Sequence, residues 1–314
     1  MHIPDNFLST PVWATLDAVA APAVALVSRQ AQKATDTNRL PLLGVMGAFV
    51  FAAQMINFPV GIGTSGHLVG GTLLACVLGP WPAALVVSAI LIVQALVFQD
   101  GGVLALGANI INMALLGVLA GYLPARLLFG TKWKNYGVFL GGCCSVLTSG
   151  VLALSELLFS GIRMPITLIE ISLALFAANA FIEGAITVSV LKAIERLNPG
   201  VAELGLPAVQ HRANPKRTLG RLVAAAGVAA IALAAVGILF ASRLPDGLEH
   251  LAHTLSMPFG AHPVFRSPLN DYEIRALGTS WFSRASAGLL GLAAVYAICT
   301  LGGHVLSRAR RSYS

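Results

Sequence analysis

Long apolar stretches separated by short polar segments dominate the pattern of this chain. Stretches without any Asp, Glu, Lys or Arg run over residues 40–59, 66–99, 101–125, 135–155, 222–242 and 285–307. A helix that spans a membrane needs about 20 mainly apolar residues, so each stretch predicts at least one span. The second stretch contains Gly79-Pro80-Trp81-Pro82. Because prolines interrupt a helix interior, we predict a short helix, a turn and a second helix there.

Two weaker spans are predicted over residues 11–28 and 166–191, each of which carries acidic residues. The predicted fold class is therefore all-α: a polytopic membrane helical bundle of about nine transmembrane helices. Glu156 and Glu170 fall near the outer face of the membrane, where we expect them to be solvated. Glu183 lies deeper, and we expect it to face the protein interior because an ionisable group in lipid is costly.

The composition excludes the soluble classes of protein. Hydrophobic residues make up 56% of the 314 residues and charged residues 11%, against about 25% charged in an ordinary soluble domain. So few charges cannot cover a soluble globule, which excludes a soluble enzyme, a nucleic-acid-binding domain and a disordered scaffold. The 32 glycines fit closely packed membrane helices. The net charge of +7 fits basic cytoplasmic loops rather than a nucleic-acid partner.

The distribution of basic residues predicts the orientation. With the N-terminus outside and a change of side at each span, most of the 20 Lys and Arg residues fall in inner loops, as the positive-inside rule requires. The C-terminus is then inside, and we expect the bacterial cytoplasmic (inner) membrane. Residues 198–220 are polar, basic and marked by Pro and Gly, which predicts a cytoplasmic linker. The linker joins residues 1–197, with about seven spans, to residues 221–314, with two spans and an extracytoplasmic loop.

The N-terminal residues offer a metal chelate. No Lys or Arg precedes Arg29, unlike the basic start of a signal peptide, so we expect the encoded N-terminus to survive. Methionine aminopeptidase acts when the second residue is small, and because His2 is not, we expect Met1 to be retained. The α-amine of Met1 and the amide and imidazole of His2 would form adjoining chelate rings around one ion. Three nitrogen atoms in a plane suit Ni(II) or Cu(II) better than tetrahedral Zn(II), and a planar site requires a fourth nitrogen. The alternative is a histidine that stands at position 2 by chance.

His67 is the candidate for the fourth nitrogen ligand. It ends the uncharged loop 57–67, which reaches the outer surface on the same predicted side as His2. The glycines of this loop allow the main chain to approach a ligand closely, and polar groups at membrane depth are functional by default. A capping or packing histidine at the start of a helix is the alternative.

Further polar residues of the outer side are open to two interpretations. Asn57, Thr64, Ser65 and Asn109 are candidates to orient the metal-bound imidazoles by hydrogen bonds, or else they cap helices and bond between them. Three histidines of the later outer loop could gather metal outside the membrane or simply be solvated; they are His250, His253 and His262.

Several of these stretches also carry a resemblance. Residues 1–8, 49–60, 63–71, 94–102 and 106–113 resemble the CbiM/NikM family, the substrate-specific membrane components of energy-coupling-factor (ECF) transporters for cobalt and nickel. The resemblance covers roughly residues 1–195, with Asn6 where many relatives have glycine. Pro245-Asp246-Gly247-Leu248-Glu249 is similar to the PDGLE signature of the small N component of these systems, fused here behind the M component.

The resemblance implies a function and a ligand set. The family's metal site falls on Met1, His2 and His67, and the protein would be the substrate-binding component of an ECF-type ABC importer that captures Ni2+, or Co2+, from outside. No cofactor is implied, since the ion is the cargo. The chain contains no GxxxxGK[ST] sequence, so ATP hydrolysis is expected in a separate ATPase component that works with a transmembrane coupling (T) component. The expected surroundings are membrane lipid, with no nucleic acid.

Three other functions are weighed against this one. A small-vitamin-binding ECF component has no use for the chelate at His2. An intramembrane metalloenzyme needs a general base beside an open metal position, and the chain has neither an HExxH sequence nor an acid next to His67. A purely structural subunit leaves the glycine loop unexplained. Small residues of the second span would pack either against a coupling partner or within this chain; they are Gly44, Gly47, Ala48 and Ala52.

Overall fold

The computed structural model describes residues 2–61, 63–198, 201, 215–242, 244–254 and 267–311. For residues 215–218, 249, 252–254 and 306–311 it describes the main chain alone. Met1 and His262, together with the side chain of His253, lie outside the described part. Their predicted roles therefore stay predictions.

The described part is mainly helical. The helices are α1 (Thr10–Ala34), α2 (Leu40–Gln54), α3 (Gly71–Leu78), α4 (Pro80–Val93), α5 (Leu106–Asn109), α6 (Val118–Leu127), α7 (Lys134–Phe159), α8 (Ile166–Leu197), α9 (Pro215–Ala235), α10 (Gly247–Thr254) and α11 (Trp281–Arg311). Short 3-10 turns cover Thr37–Arg39, Gly237–Leu239, Asn270–Tyr272 and Arg275–Leu277. Prolines occupy the first turns of α1, α2 and α4, where the missing N–H has no helical partner to lose.

Seven helices among the described residues are long and apolar enough to cross a membrane. They confirm a multi-pass membrane bundle. Two of the nine predicted spans correspond to shorter helices, since α2 has 15 residues and α3 has 8. The count of nine transmembrane helices therefore stays a prediction. Residues 215–220 of the predicted linker belong to α9.

The break predicted at the two prolines is present. Helix α3 ends at Leu78 and α4 begins at Pro80. Gly79 joins the two helices with φ of 89°, a backbone conformation that residues other than glycine rarely adopt. Two prolines close together in the sequence thus turn one apolar run into two helices.

The loop between α2 and α3 forms a small antiparallel hairpin of β1 (Phe58–Gly61) and β2 (Thr64–Gly66). Pairing of its main-chain groups explains how polar backbone lies buried at this depth. The predicted all-α class did not include this hairpin. Its second strand is fully buried.

The segment between α4 and α6 is also irregular. The residues Gln94–Phe98 and Ile110–Gly117 are π-helical, a conformation that recurs at functional sites. The first π-helical segment ends at Phe98, and the next residue, Gln99, has φ of 54°. Residues 99–105 lie between the two π-helical segments and run toward the N-terminal segment.

Helices α9 and α11 pack against α2. The contact uses the small residues singled out above: a Cβ at Gly47 would lie 3.0 Å from Val86 of α4 and 3.4 Å from Val295 of α11. Gly44 likewise faces Tyr296 of α11. These glycines therefore pack within this chain, and the alternative of a coupling partner at this face is wrong for them.

The glutamates are placed differently from one another. Glu183 is fully buried, which confirms that it faces the interior. Glu170 is exposed as predicted. Glu156 is buried, which corrects the expectation that it is solvated. Its carboxylate accepts a hydrogen bond from Asn112 Nδ2 at 2.8 Å, and this partner replaces water.

Candidate metal centre

The N-terminal segment is fixed by its main chain. The N–H of Ile3 donates to Asn109 Oδ1 at 2.8 Å, and Asn109 Nδ2 donates back to the Ile3 carbonyl at 3.0 Å. The N–H of Gly102 donates to the same carbonyl at 2.8 Å. Asn109 thus holds the residue next to His2 rather than an imidazole.

The N-terminal segment packs directly against two glycines, Gly101 and Gly102. Gly101 has φ of 92°, and a Cβ there would lie 3.1 Å from Cβ of His2. At Gly102 a Cβ would lie 2.5 Å from the main-chain nitrogen of Asp5. Any side chain at these positions would displace the N-terminal segment, so the Gly-Gly pair sets how closely His2 approaches this loop.

Asp100 is the partner of the first imidazole. Its Oδ1 accepts from the Nδ1–H of His2 at 2.9 Å, and its Oδ2 accepts from the hydroxyl of Tyr272 at 2.6 Å. Nε2 of His2 is buried and has no hydrogen-bond partner among the described residues. Asp100 was not among the site residues predicted from the sequence. The available signal was an acid beside two glycines between apolar spans.

His67 directly follows β2 and is buried. Its Nδ1 lies 2.9 Å from the carbonyl oxygen of Leu68. Because a carbonyl only accepts, Nδ1 carries the proton and the lone pair lies on Nε2. Asn179 Nδ2 donates to the carbonyl of His67 at 3.4 Å.

Glu183 holds the chain just after His67. Its two carboxylate oxygens accept from the N–H groups of Val69 at 2.7 Å and Gly70 at 2.8 Å. Gly70 has φ of 74° and precedes the first turn of α3. The carboxylate therefore satisfies main-chain donors at the start of this helix and fixes the exit of the His67 segment. The sequence predicted its burial and not this role.

The two imidazoles meet. Their ring centroids lie 5.1 Å apart and the ring planes differ by 14°. The predicted ligand residues His2 and His67 are thus brought together by the fold.

Three groups at the two imidazoles, His67, Asp100 and Tyr272, have shifted pKa values. Burial, and then nearby positive charge including that of His2, lowers the pKa of His67 to about 3, so this imidazole is neutral at physiological pH. Burial acts to raise the pKa of Asp100, but His2, His67 and the Tyr272 hydroxyl outweigh it and hold this pKa well below its ordinary value. Burial and the neighbouring Asp100 carboxylate raise the pKa of Tyr272. The centre therefore combines a neutral nitrogen ligand with a fixed negative charge.

Thr64 and Ser65 lie in the first unit, residues 1–197, and contact the second unit, residues 221–314. The N–H of Ser65 donates to the carbonyl of Pro245 at 2.8 Å, and its hydroxyl donates to that of Leu244 at 2.7 Å. The hydroxyl of Thr64 donates to the Pro245 carbonyl at 3.2 Å. Their hydrogen bonds therefore anchor the PDGLE segment on β2 rather than orienting the imidazoles.

The remaining predicted residues lie nearby. The carbonyl of Asn57 accepts from the N–H of Ser242 at 2.7 Å, so this residue also joins the two units. His250 lies on α10, and a Cβ at Gly63 would come within 3.8 Å of its ring. Among the described residues, no three His, Cys, Asp or Glu side chains form a group that could hold a metal ion.

A cavity of about 820 Å³ opens onto this centre between the two units. The first unit contributes His2, His67 and Asp100 to its wall, and the second contributes Asp246 and Tyr272. Carboxylates around such a cleft attract cations. The cavity therefore provides an approach to the imidazoles for a hydrated ion.

Two segments of the chain match known protein families. Residues 2–201 match the family model described as "Cobalt uptake substrate-specific transmembrane region" (CbiM). Residues 220–308 match the PDGLE domain.

Similar proteins extend over nearly the full chain. The chain is 32% identical to the "Probable fused nickel transport protein LarMN" of Lactiplantibacillus plantarum, over 89% of this chain and 91% of that protein. It is 30% identical to the "Putative fused nickel transport protein NikMN" of Archaeoglobus fulgidus, over 99% of this chain and 100% of that protein. A crystal structure of a transition metal transporter matches 63% of this chain and 93% of its own, with a TM-score of 0.53 and 32% sequence identity.

Proposed function

The chain belongs to the CbiM family of cobalt uptake substrate-specific transmembrane regions, with a PDGLE domain fused behind it, and on that basis we propose that it captures Ni2+ or Co2+ for uptake. The observation that carries the proposal is the buried, stacked pair of His2 and His67, each with Nδ1 on an oxygen acceptor. Imidazole nitrogens are common ligands of both metals. The protein would be a transport component rather than an enzyme.

The proposed ligands are four nitrogen atoms. Nε2 of His67 carries a lone pair, as argued above. His2 would contribute its amide and its imidazole, and the α-amine of Met1, which lies outside the described residues, would complete the set. A planar set of nitrogens favours Ni(II). Intact-protein mass spectrometry checks that residue 1 bears a free amine.

His2 would change partners on binding. Its amide nitrogen and its Nδ1 can reach the same ion, whereas Nε2 points away from its own main chain. In the structure the Nδ1–H of His2 donates to Asp100. Binding through Nδ1 would require the imidazole proton to move to Nε2, which has no hydrogen-bond partner among the described residues. The Asp100 carboxylate would then lie beside a divalent cation, where its charge stabilises the complex.

The proposed setting is an ECF-type importer in the bacterial cytoplasmic membrane. The segments around the cavity are all assigned to the outside by the positive-inside rule, and their meeting at one centre supports the N-terminus outside and the C-terminus inside. Ions would enter through the cavity. A separate ATPase and a transmembrane coupling component would supply the energy, since the sequence contains no GxxxxGK[ST] motif.

The test is metal binding by the purified full chain in detergent. One residue inserted between Met1 and His2 leaves every side chain present but separates the amine from the imidazole. We expect stoichiometric binding of Ni2+ or Co2+ by the native protein and its loss from the insertion variant. A matched control carries one residue inserted between Thr131 and Lys132, in an exposed turn distant from the centre, and should bind normally. Equal binding by all three proteins would rule out the N-terminal chelate, and absence of binding by the native protein would rule out the function.

A further inference from the structure

The hydroxyl group of Tyr272, in the second unit, joins two branches of a hydrogen-bond network. One branch leads to His2 and the other to the segment of His67. Tyr272 Oη donates to Asp100 Oδ2 at 2.6 Å, and Asp100 Oδ1 accepts from His2 at 2.9 Å. The same hydroxyl accepts from Gln94 Nε2 at 3.3 Å. One branch of this hydrogen-bond network therefore ends at the first imidazole.

The other branch leads to the His67 segment. Gln94 Nε2 also donates to Gln54 Oε1 at 2.9 Å. Gln54 Nε2 donates to the carbonyl of Val69 at 2.8 Å, two residues after His67. Both glutamines are buried, so no solvent competes for these bonds.

The direction of every bond in this network is fixed. The Val69 carbonyl and the ionised Asp100 only accept. Gln54 must therefore present its NH2 to Val69 and its oxygen to Gln94, and Gln94 must donate to Tyr272. The tyrosine proton is then committed to Asp100. Only a group that both donates and accepts can occupy this junction, and a phenylalanine cannot.

Tyr272 is held in place at a cost. Its ring stacks on Phe98 with centroids 4.5 Å apart and planes 13° apart. Asp271 and Tyr272 both have φ of 57°, a conformation that is rare for bulky residues and persists only where surrounding contacts enforce it. Nearby, the N–H of Ser267 donates to Gln99 Oε1 at 3.0 Å. The segment is therefore bound to the π-helical turn that precedes Asp100.

We propose that Tyr272 is a positioning residue of the metal centre. Tyr272 fixes the Asp100 carboxylate, which holds His2 in the metal-free protein and would lie beside the bound ion. Through Gln94 and Gln54 it sets the main chain beside His67, so the second unit completes the geometry of a site whose ligands lie in the first. This inference rests on the proposed function. It gives the fused unit a defined part in binding the ion.

The variant Tyr272→Phe tests this role because it keeps the stacked ring and removes only the hydroxyl. We expect Ni2+ to bind about tenfold more weakly, as is common when a hydrogen-bond partner behind a ligand is lost. The visible ligand-field absorption of bound Ni2+ should also shift. Tyr296→Phe, on a partly exposed ring of α11, is the matched control and should change neither quantity.

A double-mutant cycle separates positioning from general stability. If Tyr272 acts partly through Asp100, then Tyr272→Phe combined with Asp100→Asn weakens Ni2+ binding by less than the product of the two single losses. A merely structural residue would lower the melting temperature and give losses that multiply, and that result would overturn the inference. Binding and absorption identical to the native protein in Tyr272→Phe would overturn it as well. If the native protein itself binds neither Ni2+ nor Co2+, the proposed function fails and the inference fails with it.

Discussion

The imidazole of His2 lies stacked on that of His67, with ring centroids 5.1 Å apart. Each ring turns its Nδ1 to an oxygen, that of the Asp100 carboxylate for His2 and that of the Leu68 carbonyl for His67. The pair is therefore oriented by its surroundings before any ion arrives. His67 would bind through Nε2 and keep its Nδ1 partner, and for this ligand such preorganisation lowers the entropic cost of binding.

Removal of the His67 imidazole should abolish tight metal binding. In His67→Ala we expect Ni2+ affinity to fall more than about 100-fold, beyond the loss usual for residues behind the ligands. Isothermal titration of the detergent-solubilised protein measures this. His304→Ala removes an exposed imidazole of α11 and should bind as the native protein does. Similar losses in both variants would assign the effect to histidine content in general.

The contribution of Asp100 to metal affinity should depend on its position beside His2 rather than on the total negative charge of the cavity. Asp100→Asn keeps the shape but removes the negative charge, and we expect Ni2+ binding about 10- to 100-fold weaker. Asp5→Asn removes a charge from the wall of the same cavity and can still accept the bond from the N–H of Leu104. Its effect should be much smaller. Equal losses would mean that only the net charge of the cavity matters.

Glu183 should matter more to stability than Glu156, although both are buried. The Glu183 carboxylate accepts two main-chain N–H groups, whereas a glutamine has one oxygen, so Glu183→Gln leaves at least one buried donor poorly paired. That costs about 1–3 kcal/mol. In Glu156→Gln the single bond from Asn112 survives. Thermal unfolding in detergent should show a lower midpoint for Glu183→Gln and an unchanged midpoint for Glu156→Gln. A lower midpoint for Glu156→Gln than for Glu183→Gln would contradict the assigned contacts.

Acid should destabilise the protein through His67. Its pKa is about 3 in the folded protein and 6.5 in the reference state, so between these values the unfolded chain binds a proton that the folded chain excludes. Folding stability therefore falls as the pH drops from about 6.5 toward 3, by up to about 1.4 kcal/mol per pH unit. Melting temperatures measured from pH 7 to pH 5 check this. His67→Gln should show a shallower dependence, and identical slopes would exclude His67 as the cause.

Metal affinity should also fall as the pH drops from 8 to 5. His67 stays neutral over this range, so the protons released come from other proposed ligands, the main-chain amide of His2 among them. Each proton released weakens the apparent affinity about tenfold per pH unit. Titrations in buffers of different ionisation enthalpy count these protons. An affinity that does not change from pH 8 to pH 5 would exclude the proposed ligand set.

The sequence predicted the elements whose cause is local. Apolar runs interrupted by charges gave a multi-pass bundle, and the prolines at 80 and 82 gave the break after α3, because burial and proline geometry act within a few residues. The absence of charge in loop 57–67 pointed to the centre without revealing its hairpin. Glu156 was misplaced because the sequence shows distance along a span and not the Asn112 side chain that meets it.

By itself, the sequence determined the class of protein, the family resemblance and the two histidines, since each of these depends on composition or on contiguous motifs. Only the tertiary structure decided which groups hold those histidines. Asp100, Glu183 and Tyr272 come from a loop, a helix and the second unit, and their roles depend on hydrogen bonds a few ångströms long between distant parts of the chain. Such bonds depend on how hydrophobic packing arranges the helices, and no periodicity in the sequence encodes them.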